Sequence, residues 1–228
     1  MARYTTLLLD VDGTLLDFEA AQRDALIKAF ANHNYVLDDR IKEIYYEINH
    51  GLWTQYENGI IAKDEVVYTR FGKLFEMVGI KGDGIAFEDE YQMLLGQGHE
   101  LIEGAREVLE KLCKTHDLYV VTNGVTQTQF SRLKASGIDI FMKDIFVSEA
   151  TGYQKPMKEY FDYCFMRIPK LDLKKTLIVG DSLSSDIQGG NNAGIDTCWF
   201  NPQNLECNLD VKINYEIKEL SELIDIVN

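Results

Sequence analysis

Two short apolar runs, each followed at once by aspartates, constrain the fold more than any other feature of the sequence. Leu7-Leu8-Leu9 leads into Asp10-Val11-Asp12-Gly13, and Leu177-Ile178-Val179 leads into Gly180-Asp181-Ser182. Uninterrupted apolar runs of this kind are typical of parallel strands that are buried on both faces. Because the carboxyl ends of such strands meet at one edge of the sheet, the pattern predicts a cluster of carboxylates there.

The spacing of Asp10 and Asp12 favours a reactive site. Residues two apart in an extended chain point the same way, so the two carboxylates can converge on one small volume. Two like charges at close range are costly unless a cation neutralises them or one carboxyl keeps its proton, and both arrangements serve phosphoryl-transfer chemistry. Asp and Gly are also ordinary turn residues, so an acidic strand-to-loop turn is the alternative.

The second acidic segment suggests a metal site. Asp181 and Asp186 offer hard oxygen ligands, and together with Asp10 they could hold a Mg²⁺ ion that keeps several of its waters. A purely structural role stays open for Asp186, because the dipole of the helix that follows favours any carboxylate in its first turn.

Two further segments supply candidate groups for a phosphate. A third predicted strand ends in Thr122-Asn123-Gly124, whose hydroxyl, amide and backbone N–H groups can donate to phosphate oxygens, although a helix cap or turn is the alternative. Lys155 precedes Pro156, which forces extended geometry on the lysine and permits an inward-pointing ammonium. The alternative for Lys155 is a solvated surface side chain.

In this chain order, the four segments resemble the motifs of the haloacid dehalogenase-like superfamily, and most closely those of its phosphatases. The shared framework covers residues 5–15 and about 104–228. The resemblance implies that Asp10 is the nucleophile and that Asp12 is the general acid and base. It also implies that Asp12 contributes its backbone carbonyl to the metal.

The same resemblance assigns the remaining motif positions. Thr122 matches the phosphate-binding hydroxyl and Lys155 the basic residue, while Asp181 and Asp186 match the acidic metal motif. Together these assignments imply a phosphomonoester hydrolase that uses Mg²⁺ and forms an aspartyl phosphate.

The chain between the first two motifs has a different character, because helical patterns dominate from Glu19 to about Gly98. After Lys155 the strand and helix patterns alternate, which is typical of a parallel sheet covered on both faces. We therefore predict an α/β fold with a Rossmann-like parallel sheet core domain, residues 1–17 and 99–228. Residues 18–98 are predicted to form an inserted α-helical cap domain, and the family resemblance implies that such a cap closes over the site.

The substrate prediction rests on a finer similarity to the pyrimidine 5′-nucleotidase branch of the family. It is carried by Thr122-Asn123-Gly124, Lys155-Pro156, Gly180-Asp181-Ser182 and residues 215–220, and it implies a nucleoside monophosphate as substrate. Trp53 and Tyr56 are candidates for stacking on the base, since they follow Gly51 in a predicted helix break. The alternative is that the cap aromatics form the core of the helical bundle.

Two other functions stay open on the sequence. One is a phosphatase for another small metabolite, such as a sugar phosphate or phosphoglycolate. The other is a non-catalytic binding protein of the same fold, although such a protein has no need of a paired nucleophile and acid.

Charge and composition narrow the range of partners. The 228 residues include 37 Asp and Glu against 23 Lys and Arg, giving a formal net charge of −14. This charge argues against nucleic acid polymers and anionic membranes as partners. The apolar runs are too short for a membrane span or a secretion signal, and the four cysteines are widely spaced. We expect a cytoplasmic monomer or homodimer that acts on a small phosphorylated metabolite.

Overall fold

The computed structural model describes residues 2–228, which divide into two compact units. One unit contains residues 2–18 and 99–228, and the other contains Glu19–Gly98. The first is an α/β unit built on a parallel sheet, and the second contains only helices as regular secondary structure. The predicted fold class, an α/β core with an inserted helical segment, is confirmed.

The α/β unit is organised around a six-stranded sheet of order β3-β2-β1-β4-β5-β6, in which every pairing is parallel. Its strands are β1 Thr6–Leu9, β2 Asp117–Thr122, β3 Asp144–Val147, β4 Thr176–Gly180, β5 Asp196–Phe200 and β6 Tyr215–Ile217. Its helices are α5 Ala105–Leu112, α6 Thr126–Ser136, α7 Ser148–Thr151, α8 Lys158–Phe165, α9 Gln188–Ala193 and α10 Leu223–Val227. A π-helical turn, Leu183–Ile187, precedes α9.

Apart from residues at their ends, the central strands are apolar, as expected for strands that are buried on both faces of the sheet. Leu7 and Leu9 of β1 belong to one hydrophobic cluster, whereas Leu8 belongs to the cluster on the opposite face. Leu9 is in register with Val120 of β2 and Val179 of β4. The three strands therefore end side by side, and the polar residues that follow them emerge at one edge of the sheet.

The helical unit contains α2 Asp39–Glu57, α3 Lys63–Val78, α4 Gly84–Leu95 and most of α1, Phe18–Asn32. Its core is rich in aromatic rings, and Phe71 lies 4.6 Å from Phe87 and 5.0 Å from Tyr91 between ring centroids. A fully buried ion pair between Arg70 and Glu88, with a 2.6 Å N–O distance, lies within this core. Most of the aromatic side chains in this unit thus serve its own packing.

The predicted helix break at Gly51 is wrong. Helix α2 runs without interruption from Asp39 to Glu57, and the side chain of Asp38 caps it by accepting a hydrogen bond from the Ile41 N–H at 2.8 Å. A glycine costs a helix only about 1 kcal/mol relative to alanine. Burial of Leu52 and Tyr56 within the same helix outweighs that cost.

The sequence pattern predicts a short strand near residues 211–215 and a final helix over residues 217–226, and both elements begin later than predicted. The last strand is β6, Tyr215–Ile217, and the last helix begins at Leu223. A capping box between Glu219 and Glu222 starts the final helical segment and holds the preceding residues outside it. None of the helices in residues 2–228 combines the length and apolar character that a membrane crossing requires.

Candidate active site

The candidate site begins where β1 ends. The backbone N–H of Asp10 donates to the carbonyl of Val179 at 2.9 Å, so the sheet pairing fixes the first residue after the strand. Gly13 has a φ of +83°, and a Cβ at this position would lie 2.5 Å from an oxygen of Asp181. Only glycine satisfies both constraints, and the turn therefore brings the loop after β1 against the loop after β4.

Lys155 links these two loops. Its side chain is 1% exposed, and its ammonium donates to Asp10 Oδ1 at 2.6 Å, Asp186 Oδ1 at 2.7 Å and the carbonyl of Val121 at 2.9 Å. Three acceptors satisfy all three N–H bonds of the ammonium. Lys155 therefore lies among the carboxylates, rather than on the solvated surface.

Asn123 holds the backbone of Lys155. Its amide nitrogen donates to the Lys155 carbonyl and its amide oxygen accepts from the Lys155 N–H, both at 2.9 Å. The Asn123 amide was predicted from the sequence to bind the phosphate of the substrate, but here it makes two hydrogen bonds to Lys155. The structure thus gives the Asn123 side chain a positioning role, while the backbone of Thr122-Asn123-Gly124 stays at the sheet edge.

Three carboxylates lie together around the lysine. Each of Asp10, Asp181 and Asp186 offers an oxygen, and these oxygens lie within 4.8 Å of one another. Asp186 accepts from the Ser182 N–H at 3.1 Å, and Asp181 accepts from the Thr14 hydroxyl at 3.2 Å. A Cβ at Gly180 would overlap the carboxylate of Asp186, so this glycine makes room for the cluster.

Burial and like charge disturb the titration of this cluster. Burial is the largest influence on Asp10 and raises its pKa well above the usual carboxyl value, although Lys155 acts in the opposite direction. Asp181 is partly exposed to solvent, but its pKa is raised to about 7. The larger cause is burial of the carboxyl by the surrounding protein, and the second is the negative charge of Asp186. For Lys155, burial lowers the pKa, but Asp10 and Asp186 outweigh burial and leave the pKa above its usual value. Lys155 is therefore a cation.

The donor set fits a magnesium ion. When ionised, the three carboxylates face a single ammonium, so negative charge remains uncompensated at a point where hard oxygen ligands converge. Both oxygens of Asp186 accept hydrogen bonds, from Lys155 and from the Ser182 N–H, whereas the Lys155 ammonium bonds one oxygen of Asp10 and the Thr14 hydroxyl bonds one oxygen of Asp181. Asp10 and Asp181 are therefore the carboxylates best placed to ligate the ion directly.

The carboxylate of Asp12 is separate from this cluster and is held by α6. Gln129 Nε2 donates to Asp12 Oδ2 at 2.5 Å, and Arg132 Nη1 donates to Asp12 Oδ1. Neither partner was predicted from the sequence. A signal was present, because Gln129 and Arg132 lie three apart and therefore on one face of the helix that follows the Thr122-Asn123-Gly124 segment.

Thr122 ends β2 beside this group and is buried. Its hydroxyl oxygen accepts from the Gly124 N–H at 3.1 Å and from Gln129 Nε2 at 3.0 Å. Because both of these contacts use the oxygen as acceptor, the hydroxyl hydrogen can still be donated to a phosphate oxygen.

The two predicted base-stacking residues lie in the helical unit. Tyr56 is buried and packs with Leu52 and Val66, while Trp53 is half-buried. The rings of Trp53 and Tyr56 meet edge-to-face with 5.7 Å between centroids. Tyr56 thus contributes to the packing of this unit, and Trp53 keeps part of its ring accessible.

Comparison with known proteins identifies the family. A family model of haloacid dehalogenase-like hydrolases matches residues 4–194. The chain belongs to this family. The family resemblance inferred from the four motifs is confirmed, and the chain is a member of a hydrolase family.

Two curated relatives are similar over almost their whole length. The chain is 50% identical over 228 residues to the HAD-hydrolase YfnB of Bacillus subtilis (strain 168), which covers 100% of this chain and 97% of YfnB. It is 38% identical over 226 residues to the pyrimidine 5′-nucleotidase PynA of Streptococcus pneumoniae (strain ATCC BAA-255 / R6), which covers 99% of this chain and 95% of PynA. The predicted similarity to the pyrimidine 5′-nucleotidase branch is thus confirmed.

A solved structure is similar as well. The crystal structure of YfnB from Bacillus subtilis, bound to magnesium, has a TM-score of 0.94 and 50% identity to this chain, with 99% of each chain covered. The α/β fold with a helical insertion is therefore shared with an experimentally determined member of the family.

We predict that Mg²⁺ stabilises the protein through Asp181. An ion that binds only the folded state at about 100 times its Kd contributes about 2.7 kcal/mol, which raises Tm by roughly 5–10 °C for a chain of this size. Asp181→Asn should reduce this shift to less than about half and should raise Tm of the chelated protein, because one repelling carboxylate is lost. The measurement is thermal unfolding with EDTA and then with Mg²⁺.

The matched control for this experiment is Asp210→Asn, which removes an exposed carboxylate outside the cluster. It should respond to Mg²⁺ as the wild type does. Equal Mg²⁺ shifts in wild type and Asp181→Asn would contradict the assignment of Asp181 to the metal.

Proposed function

We propose that this chain is a Mg²⁺-dependent 5′-nucleotidase that hydrolyses pyrimidine nucleoside monophosphates through a phosphorylated Asp10. The proposal rests mainly on one observation, that two nearby carboxylates have different hydrogen-bond partners. Asp10 is held by the ammonium of Lys155, whereas Asp12 is held by Gln129 and Arg132. Carboxylates in different environments can take the different roles of nucleophile and acid.

The first chemical step uses both carboxylates. An oxygen of Asp10 attacks phosphorus and the bond from phosphorus to the ester oxygen breaks. The leaving alkoxide takes the proton of the Asp12 carboxyl and departs as the nucleoside. The products of this step are an aspartyl phosphate at Asp10 and an ionised Asp12.

The second step restores the enzyme. Asp12 takes a proton from water as that water attacks the phosphorus of the aspartyl phosphate. The bond from phosphorus to the Asp10 oxygen then breaks, which releases inorganic phosphate and returns Asp10 to a carboxylate. Asp12 is again protonated, so the two steps balance to hydrolysis of a phosphomonoester.

Charge stabilisation accompanies both steps. Lys155, the Thr122 hydroxyl and the backbone N–H groups after β2 can donate to the phosphoryl oxygens as negative charge develops there. When bound by Asp10, Asp181 and the Asp12 carbonyl, with Asp186 beside them, Mg²⁺ supplies further neutralisation of the same charge. An acidic chain needs this local positive charge, since its net charge of −14 repels phosphate at long range.

The pyrimidine preference is supported by the relatives rather than by the phosphate site. The groups around Asp10 can recognise the phosphate of any phosphomonoester, so discrimination requires side chains elsewhere in the chain. The 38% identity to PynA extends over nearly the whole chain, including the helical unit, and favours a nucleotide as the preferred substrate.

Phosphate release from a panel of substrates tests the proposed function. We predict that uridine and thymidine monophosphates have kcat/KM values at least about tenfold above those of purine nucleotides, sugar phosphates and phosphoglycolate, equivalent to about 1.4 kcal/mol. Activity should disappear on exhaustive chelation and return with Mg²⁺. Asp10→Asn should lower kcat by several orders of magnitude, and Asp210→Asn should leave it unchanged.

The panel separates the alternatives. If a sugar phosphate or phosphoglycolate is hydrolysed most efficiently, the chain is a phosphatase for another metabolite and the nucleotidase assignment is wrong. Absence of turnover with every phosphomonoester would indicate a binding protein that keeps the fold.

Trp53 and Tyr56 remain our candidates for base stacking. Trp53→Ala should raise KM for uridine monophosphate by roughly tenfold or more, because a stacked base contributes about 1–3 kcal/mol. KM for an aryl phosphate should change less. Tyr56→Ala should have the same selectivity but also lower the stability by about 3–5 kcal/mol, since Tyr56 is buried among Leu52 and Val66.

Tyr56→Phe is the matched control, because it keeps the ring and removes only the hydroxyl. It should retain nucleotide binding and most of the stability. If the alanine variants weaken both substrate types equally, the two rings are structural and do not read the base.

A further inference from the structure

Helix α6 directs two side chains at the candidate acid and base. Gln129 and Arg132 contact opposite oxygens of the Asp12 carboxylate, Oδ2 and Oδ1 respectively. Their i, i+3 spacing places them on one face of the helix. Two donors on one rigid element can fix both the position and the rotation of a carboxylate.

Arg132 is held firmly in place. The residue is 1% exposed, and its guanidinium lies 5.5 Å from the ring centroid of Phe18. Stacking on an aromatic face limits the movement of a guanidinium. Asp12 thus meets a charged group whose own position is set by packing.

Gln129 connects Asp12 to the candidate phosphate-binding hydroxyl. The nitrogen that donates to Asp12 also donates to Thr122 Oγ1 at 3.0 Å. A Cβ at Gly124 would overlap the Gln129 side chain, so this glycine makes room for the amide. The glycine after Thr122 and Asn123 therefore serves Gln129 as well as the backbone.

Packing alone does not account for these side chains. Burying an arginine costs several kcal/mol of desolvation, and an apolar side chain of similar volume is often as stable or more stable. In the described part of the chain, the buried Gln129 Oε1 has no hydrogen-bond partner, which is a further cost to the fold. Both costs are incurred at the one carboxylate to which the mechanism assigns proton transfer.

We propose that Gln129 and Arg132 are positioning residues that hold Asp12 for proton transfer to the leaving group. This inference rests on the proposed function. Neither residue belongs to the carboxylate cluster that fits Mg²⁺, and Lys155 holds that cluster from another segment of the chain. Loss of the Arg132 contact to Asp12 should therefore impair the proton-transfer step more than phosphate or metal binding.

Leaving-group dependence tests the proposal. A nucleoside alkoxide needs a proton to leave, whereas p-nitrophenolate leaves without one. Arg132→Met keeps side-chain length but removes the charge and the donors. It should lower the single-turnover rate with uridine monophosphate about a hundredfold and the nitrophenol burst rate less than about fivefold, with substrate KM within about threefold of wild type.

Two comparisons identify Asp12 as the residue through which Arg132 acts. Asp12→Asn should show the same difference between the two substrates, and combining it with Arg132→Met should add little further loss. Arg132→Lys should recover at least about tenfold of the rate with uridine monophosphate. Lys134→Met, which removes an exposed charge from the same helix, should leave both rates unchanged.

Equal slowing of both substrates by Arg132→Met, a rise in KM alone, or full additivity with Asp12→Asn would overturn the positioning role. If Arg132→Met fails to fold, Arg132→Gln provides the same test with an expected selective loss of about tenfold, and an unselective loss overturns the proposal. Wild type and Asp10→Asn are measured alongside. If turnover depends on Asp10 but no variant slows uridine monophosphate more than the nitrophenyl substrate, this inference alone is refuted. If the wild type shows no turnover, both the proposed function and the inference are refuted.

Discussion

A single buried ammonium organises the edge of the sheet. Lys155 donates to Asp10 after β1, to Val121 within β2 and to Asp186 after β4, and Asn123 fixes its backbone from two sides. Removing a charge from water costs several kcal/mol, which the interior repays only when every donor finds an acceptor. The close approach of three strand ends provides those acceptors, so the geometry of the sheet and the geometry of the site depend on the same contact.

The positions of the other charged groups follow from this arrangement. With Lys155 bound to Asp10 and Asp186, Asp12 receives its own partners from α6, and two carboxylates separated by one residue have different neighbours. Excess negative charge remains where Asp10 and Asp181 converge, which favours a divalent cation there. One sheet edge thus provides separate environments for the proposed nucleophile, the proposed acid and the proposed metal.

Local patterns explain how far the sequence predicts this structure. The apolar runs before Asp10, Thr122 and Gly180 predict β1, β2 and β4, because strands buried on both faces leave a simple signature. The break predicted at Gly51 is wrong, since a local propensity of about 1 kcal/mol is overridden by packing. The roles assigned to the motif residues stay predictions. The partners of Asp12 were not found because their distances depend on how α6 packs, 117 and 120 residues away along the chain.

The proposed mechanism requires a phosphorylated Asp10, and this species can be detected directly. The enzyme would be mixed with uridine monophosphate carrying a radiolabelled phosphate, quenched in acid during turnover, and digested for peptide mapping. We predict an acid-stable, base-labile label on the peptide that contains Asp10. This label should be lost on a chase with unlabelled substrate and absent from Asp10→Asn. Full hydrolysis without any labelled protein, or a label on another residue, would contradict the proposed mechanism.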